Sequence, residues 1–172
     1  TAIVAALIMS NLLGADAAGG GAAVISLLAI GAGLIVAALI GMLNGYLIGW
    51  VEVSPILATL GTMILFKGVA IVLTKGYVIS GFPPLILFLG NGKIVGIPMP
   101  MIIFIICAVV MAVILNRSRS GMSIYMLGSN ATASHFSGIN NRHILLKTYL
   151  ISGVYSGIAA IVMMSRFVPV TT

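Results

Sequence analysis

An all-α, polytopic transmembrane bundle is the fold class this sequence predicts, and three observations predict it. Apolar residues make up 61% of the 172-residue chain and charged residues only 6%. Soluble domains carry about 25% charged residues, so two acids and eight bases are too few to cover a surface facing water. The apolar residues fall into long runs broken by short polar connectors, which suits lipid as the solvent. Finally, no sustained period-2 alternation appears, and that argues against a transmembrane barrel.

Taken in order, five apolar segments stand out. Thr1–Leu13 opens the chain inside an apolar stretch. With no Met, no basic start and no cleavage site, it reads as a truncated first span of a longer protein rather than a signal peptide. Ala22–Leu43 is free of charge and spans roughly 33 Å as a helix, enough to cross a bilayer core. Ile56–Leu73 follows Ser54-Pro55, a hydroxyl at the N-cap and a proline at the first helical position, where its missing N–H costs nothing. Ile97–Leu115 has Pro98 for the same role. Ile144–Met164 has Lys147 near its start. Between these lie the connectors Asp16–Gly21, Asn44–Ser54, Thr74–Gly96 and Asn116–His143. The third is turn-rich and holds a candidate re-entrant or interfacial piece at Leu85–Leu89.

Charge gives an orientation and excludes one partner. The formal net charge is +6, but the bases sit between or at the ends of apolar runs, the ordinary signature of topology and headgroup contact rather than of nucleic-acid binding. Arg117, Arg119 and Arg142, with Lys147 just beyond, put the Asn116–His143 connector in the cytoplasm by the positive-inside rule. Lys75, Lys93 and Arg166 then fall on the outer side, against the trend.

Small residues mark packing faces. Ala29, Gly33, Ala37, Gly41, Gly45 and Gly49 recur every four positions, a groove that lets another helix approach closely. Gly153 and Gly157, with Ser152 and Ser156 beside them, make a second small face. The plain reading is tight packing within one bundle; a dimer seam or a wall of a translocation path is the alternative. Trp50, Tyr46 and Tyr149 lie near span ends, where amphipathic rings favour the interface. The ten methionines and the single Cys107 read as apolar packing.

Catalytic chemistry has no foothold, and no cofactor or metal site is expected. There is no GxSxG. Gly90-Asn91-Gly92-Lys93 imitates a phosphate loop, but Ile94 replaces the required Ser or Thr and Leu87 the first glycine. His135 and His143 have no carboxylate or thiol near them in sequence to complete a metal site. Asp16 and Glu52, the two acids, lie in connectors, whereas ion-coupled carriers need ionisable groups within the membrane. Lys67 is the one mid-span candidate, and its plain reading is snorkelling.

The most polar stretch carries the functional signal. Within 116–143, Ser129 or Asn130 can cap a short helix, Ala131–Ser137 supplies about two turns, and Gly138 suits a left-handed stop. A short helix fixed between two spans is suited to receiving a push from a soluble partner.

Here the chain resembles a family, the permease subunits of ribose-type, simple-sugar bacterial ABC importers. Three blocks carry the resemblance. They are Leu43-Asn44-Gly45 with Pro55–Thr62; Gly76–Gly81 leading into Gly96–Pro100; and Arg119-Ser120-Gly121 through Tyr125, Gly128, Asn130, Ala133 and Ser137-Gly138-Ile139 to Tyr149, Ser152-Gly153 and Ser165-Arg166.

The resemblance implies that residues 1–172 are part of a permease domain of the bacterial inner membrane. It implies a second permease copy, cytoplasmic ATP-binding subunits, and a periplasmic or lipid-anchored sugar-binding protein. It also implies a coupling segment at Gly128–Asn140, with Gly128, Ser129, Asn130, Ala131, Ala133, Ser137, Gly138 and Ile139 facing the ATPase. The family commonly has an acid early in that helix; Thr132 lies in this region here. A nucleoside, an autoinducer-type furanose or a branched-chain amino acid is the alternative cargo. A channel or carrier working without ATP, or a membrane scaffold, is the alternative class.

Overall fold

The computed structural model describes residues 21–75, 89–94, 96–129, 134 and 140–167. Five helices and one small hairpin organise them: α1 (Gly21–Gly49), α2 (Pro55–Thr74), β1 (Lys93–Ile94), β2 (Ile97–Pro98), α3 (Met99–Arg117), α4 (Arg119–Ser129) and α5 (Asn141–Phe167). Four helices are long and apolar enough to cross a membrane: Ser26–Gly49, Pro55–Thr74, Met99–Arg117 and Asn141–Arg166. The all-α polytopic class is therefore as expected. The first predicted span, Thr1–Leu13, lies outside the described residues, as do positions 85–88 of the candidate re-entrant piece.

The antiparallel pair α1–α5 forms the centre of the bundle. Ser26, Ala29, Gly33, Ala37, Gly41, Gly45 and Gly49 are all buried along one face of α1. A Cβ built on Gly45 would meet Leu146 Cα at 2.9 Å, and one on Gly153 would meet the Ala37 carbonyl at 2.6 Å. Gly41 lies against Tyr149 and Gly153, and Gly49 against Arg142. The helix backbones touch where side chains would normally hold them apart. In lipid such close contact supplies the association that burying apolar surface cannot.

This contact also explains a difference from the sequence expectation. Asn44-Gly45 reads as the start of a connector, yet α1 continues to Gly49. Glycine costs about 1 kcal/mol in a helix interior, but at Gly45 and Gly49 its lack of a side chain is what admits α5. The helix then ends where Glu52 takes a left-handed φ of 58° and Val53 N–H reaches back to the Leu47 carbonyl at 3.2 Å.

Ser54 precedes α2 as expected, but its hydroxyl makes no capping bond. Ser54 is exposed, so solvent can serve the first-turn N–H groups, of which Pro55 has already removed one. Only Ala58 and Thr62 of α2 are buried. Lys75, at φ 50°, closes α2 with its N–H near the Ile71 and Val72 carbonyls. Lys67 is exposed along the helix.

Beyond α2, β1 and β2 pair antiparallel, Lys93 with Pro98 and Ile94 with Ile97. Gly96, at φ 82°, supplies the turn that an L side chain would resist. Pro98 thus sits one place earlier than expected, at the N-cap, and Pro100 is the proline of the first turn. None of α3 is buried.

Ser118 ends α3 and starts α4. Its hydroxyl donates to the Ile114 carbonyl at 2.6 Å and accepts the Gly121 N–H at 3.0 Å, an N-cap in the usual sense. Gly121 is pressed against the Leu115 backbone, 2.6 Å from a would-be Cβ to its carbonyl carbon. Helix α4 stands where sequence reading placed only connector. Its apolar Met122, Tyr125 and Met126 are exposed and recur at helical spacing among the polar Arg119, Ser120 and Ser123, which obscured the periodicity.

Candidate functional site: a polar cavity beside the helix seam

The seam fixes one face of α5, and that face sets the site. Tyr149, Ser152, Gly153 and Ser156 follow one another at spacings of three, one and three, so they share a side of the helix. Together with Ala37, Ile40, Gly41 and Asn44 of α1 and Thr59 of α2 they line a cavity of ≈ 230 Å³. Five of these residues bring polar side chains into a region flanked by three spans, and none is charged. Asn44 is held from behind: Thr62 Oγ1 lies 2.9 Å from Asn44 Oδ1 and 3.0 Å from the Thr59 carbonyl, and its single proton serves one of them at a time. Thr59 donates to the Pro55 carbonyl at 2.8 Å.

A neighbouring face of α5 is mainly apolar, with Arg166 at its end. Ile158, Val162 and Met163, with Ile103 and Phe104 of α3, line a larger groove of ≈ 500 Å³. It is bounded by Tyr155, whose hydroxyl donates to the Cys107 carbonyl at 3.1 Å. Cys107 is a free, partly exposed thiol.

Arg117, Arg119, Arg142 and Lys147 gather at the end of the bundle where α1 finishes and α5 begins. Tyr46 stacks on Trp50 with centroids 5.7 Å apart, and His143 meets Trp50 edge-on at 5.5 Å. Arg142 and Glu52 approach to 3.6 Å but are 54% and 76% exposed, so solvent leaves this pair little weight. Arg119, Ser120, Ser123, Ile144 and Lys147 line a groove of ≈ 180 Å³ between α4 and α5. Among the described residues no group of three His, Cys, Asp or Glu side chains could hold a metal.

The sequence-predicted site residues divide between these regions. Gly33, Ala37, Gly41, Gly45 and Gly49 lie along the buried face of α1. Gly153 and Gly157 lie on α5 opposite Ala37, Gly41 and Leu34. Of the coupling segment, Gly128 and Ser129 are exposed at the end of α4. Asn130, Ala131, Ala133, Ser137, Gly138 and Ile139 lie outside the described residues. Ser134, by contrast, is described: it is 1% exposed, and its hydroxyl donates to Asn141 Oδ1 at 3.0 Å. Asn44, Thr59 and Thr62 fall within the first block of the family resemblance but are not among the predicted site residues. Their usable signal was Asn44 and Thr62 as polar residues close to, or inside, apolar runs.

A bundle of spans, with close-packed small faces and an uncharged polar cavity between them, defines an integral membrane protein with the character of a permease. Comparison with known proteins makes this specific. The chain belongs to the family described as branched-chain amino acid transport system / permease component, whose family model matches residues 1–172. It is 34% identical over 140 residues to the autoinducer 2 import system permease protein LsrD of Yersinia enterocolitica, covering 78% of this chain and 42% of that protein. It is 33% identical over 134 residues to the D-allose transport system permease protein AlsC of Escherichia coli, covering 78% and 41%. Against the LsrD protein of Photorhabdus temperata the identity is 37% over 138 residues, covering 77% and 41%. The chain thus spans about two-fifths of the length of these curated relatives. No solved structure matches. The resemblance read from the three sequence blocks is borne out at the level of the family.

Proposed function

We propose that this chain is part of the membrane-spanning permease subunit of an ATP-driven ABC importer for a monosaccharide such as ribose. It forms part of the translocation path and does not itself hydrolyse ATP. It works with a second permease copy, cytoplasmic ATP-binding subunits and a sugar-binding protein. Residues 116–143 face the cytoplasm of a bacterium, and Gly128–Asn140 receive the ATPase.

The observation that carries this reading is the bond from Ser134 to Asn141. Asn141 is the first residue of α5. A displacement of the coupling segment is therefore applied to the start of a helix whose middle turns line the polar cavity. The glycine contacts along α1 leave no slack between the two helices, so the cavity walls move with the push. Interiors packed this closely transmit displacement rather than absorb it. Arg117, Arg119, Arg142 and Lys147, gathered at one end of the bundle, favour that end as the cytoplasmic one.

An autoinducer or an allose-like sugar is the second reading of the cargo, supported by the relatives' names, an autoinducer 2 import system and a D-allose transport system. A cysteine at Ala131, chosen because Ser134 is buried, tests the coupling assignment. In the full-length permease co-expressed with its ATPase it should form a cross-link to that subunit with a short bifunctional reagent. A transporter that works yet forms no such link contradicts the assignment.

A further inference from the structure

We infer that the cavity between α1, α2 and α5 is a water-filled contact site for an uncharged, hydroxyl-rich solute, with Asn44, Ser152 and Ser156 providing its hydrogen bonds. The inference deepens the permease reading and rests on it. Its first support is a contrast among hydroxyls. In a membrane span a Ser or Thr hydroxyl normally bonds to a carbonyl one turn back, because lipid offers no partner. Thr59, Thr74, Thr148 and Ser165 all do so. Ser152 and Ser156 do not: both are exposed, both line the cavity, and among the described residues their hydroxyls take no hydrogen bond. A hydroxyl left unpaired in hydrocarbon costs several kcal/mol, so a hydrated cavity is the environment in which these two side chains are at no disadvantage.

Asn44 adds the complementary group. Its carbonyl oxygen faces Thr62, which turns its NH₂ into the group with no protein partner among the described residues. An amide NH₂ offers two donors, and each serine hydroxyl offers a donor and acceptors. A polyol surface, which both donates and accepts at every hydroxyl, matches that set. An ion does not, since no charged side chain lines the cavity.

Position and size agree. Ser152 and Ser156 lie roughly 17 and 23 Å along α5 from Asn141, at 1.5 Å per residue, well inside the span. The ≈ 230 Å³ volume far exceeds the 10–15 Å³ or so that one water needs and stays below the ~300 Å³ at which drug-sized pockets begin. Few and partly mobile hydrogen bonds make a weak site, and a path that must release its cargo requires weak binding.

Cysteine accessibility in the full-length permease, assembled with its partners in membrane vesicles, tests this. Cys107→Ala gives a thiol-free background within this stretch and keeps the backbone carbonyl that Tyr155 uses. Single substitutions Ser152→Cys, Ser156→Cys and Asn44→Cys are compared with Val109→Cys and Leu65→Cys, whose native side chains are exposed apolar ones on α3 and α2. The reagent is the charged, water-soluble 2-sulfonatoethyl methanethiosulfonate. The cavity positions should react at least tenfold faster than Val109→Cys and Leu65→Cys. Ribose, D-allose or glycerol at high concentration should slow Ser156→Cys at least threefold, where equimolar sodium chloride does not.

Cavity positions as slow as Val109→Cys would overturn the water-filled site. Fast labelling with no protection by any of the three polyols would overturn the solute assignment. ATP-dependent uptake measured in the same vesicles reports separately on the permease reading. The two failures are therefore distinguishable.

Discussion

At the scale of single residues, glycine and serine do most to decide the local outcome. Gly41 and Gly31 are two glycines of one helix with opposite surroundings: a Cβ at Gly41 collides with the α5 backbone at Tyr149, while one at Gly31 meets nothing within 4 Å. Gly41→Leu in the full-length permease should therefore cost the ~1–3 kcal/mol of an overpacked core or more, read as a lower thermal midpoint in detergent. Gly31→Leu should leave it near the parent value, and equal effects would contradict the seam. Ser118 acts through both functions of one hydroxyl. Ser118→Ala removes an N-cap worth about 1 kcal/mol together with the bond to Ile114. Amide hydrogen exchange in α4 should accelerate severalfold, while α3 amides far from its end stay protected. Sequence reading missed the role of Ser118 because Arg117-Ser-Arg-Ser looks like a polar linker, and only the Ile114 and Gly121 contacts show that it joins two helices.

At the scale of elements, the spans were legible because lipid imposes length and apolarity on each helix separately. Pro55 and Thr74 bound α2 within a residue of the expected limits. The pairing of helices was not legible in the same way. A row of small residues at spacing four announces a groove but does not name the helix that fills it; that Gly45 meets Leu146 is information about residues far apart in sequence. The cavity escaped notice for a related reason. Asn44-Gly45 has the local chemistry of a turn, and only the close approach of α5 keeps it helical. The bond between Ser134 and the start of α5 makes its own prediction. Asn141→Ala removes the acceptor of the Ser134 hydroxyl at the first residue of α5. In the assembled transporter it should lower sugar uptake at least fivefold while ATP hydrolysis by the partner subunits falls less than twofold. Parallel loss of both activities would point to failed assembly instead of weakened coupling.

At the scale of the whole molecule, the described spans are unevenly enclosed. The seam between α1 and α5 is closed, whereas α3 buries nothing and α2 exposes Ile56, Val72 and Ile64 by about two-thirds or more. Those faces suit lipid, a second permease copy, or further spans of relatives that are more than twice as long as the matched region. In the proposed mechanism the 128–140 segment receives force, the close-packed helix pair carries it, and the uncharged cavity changes shape in response. On the proposed reading, ATP hydrolysed by a partner subunit supplies the energy. Concentrative sugar uptake into vesicles holding the full-length permease, with either the active ATPase partner or one inactivated at its catalytic base, measures that claim most directly. Uptake should require the active partner and fall to the passive level without it. Uptake against a gradient that persists with the inactive partner would contradict the account.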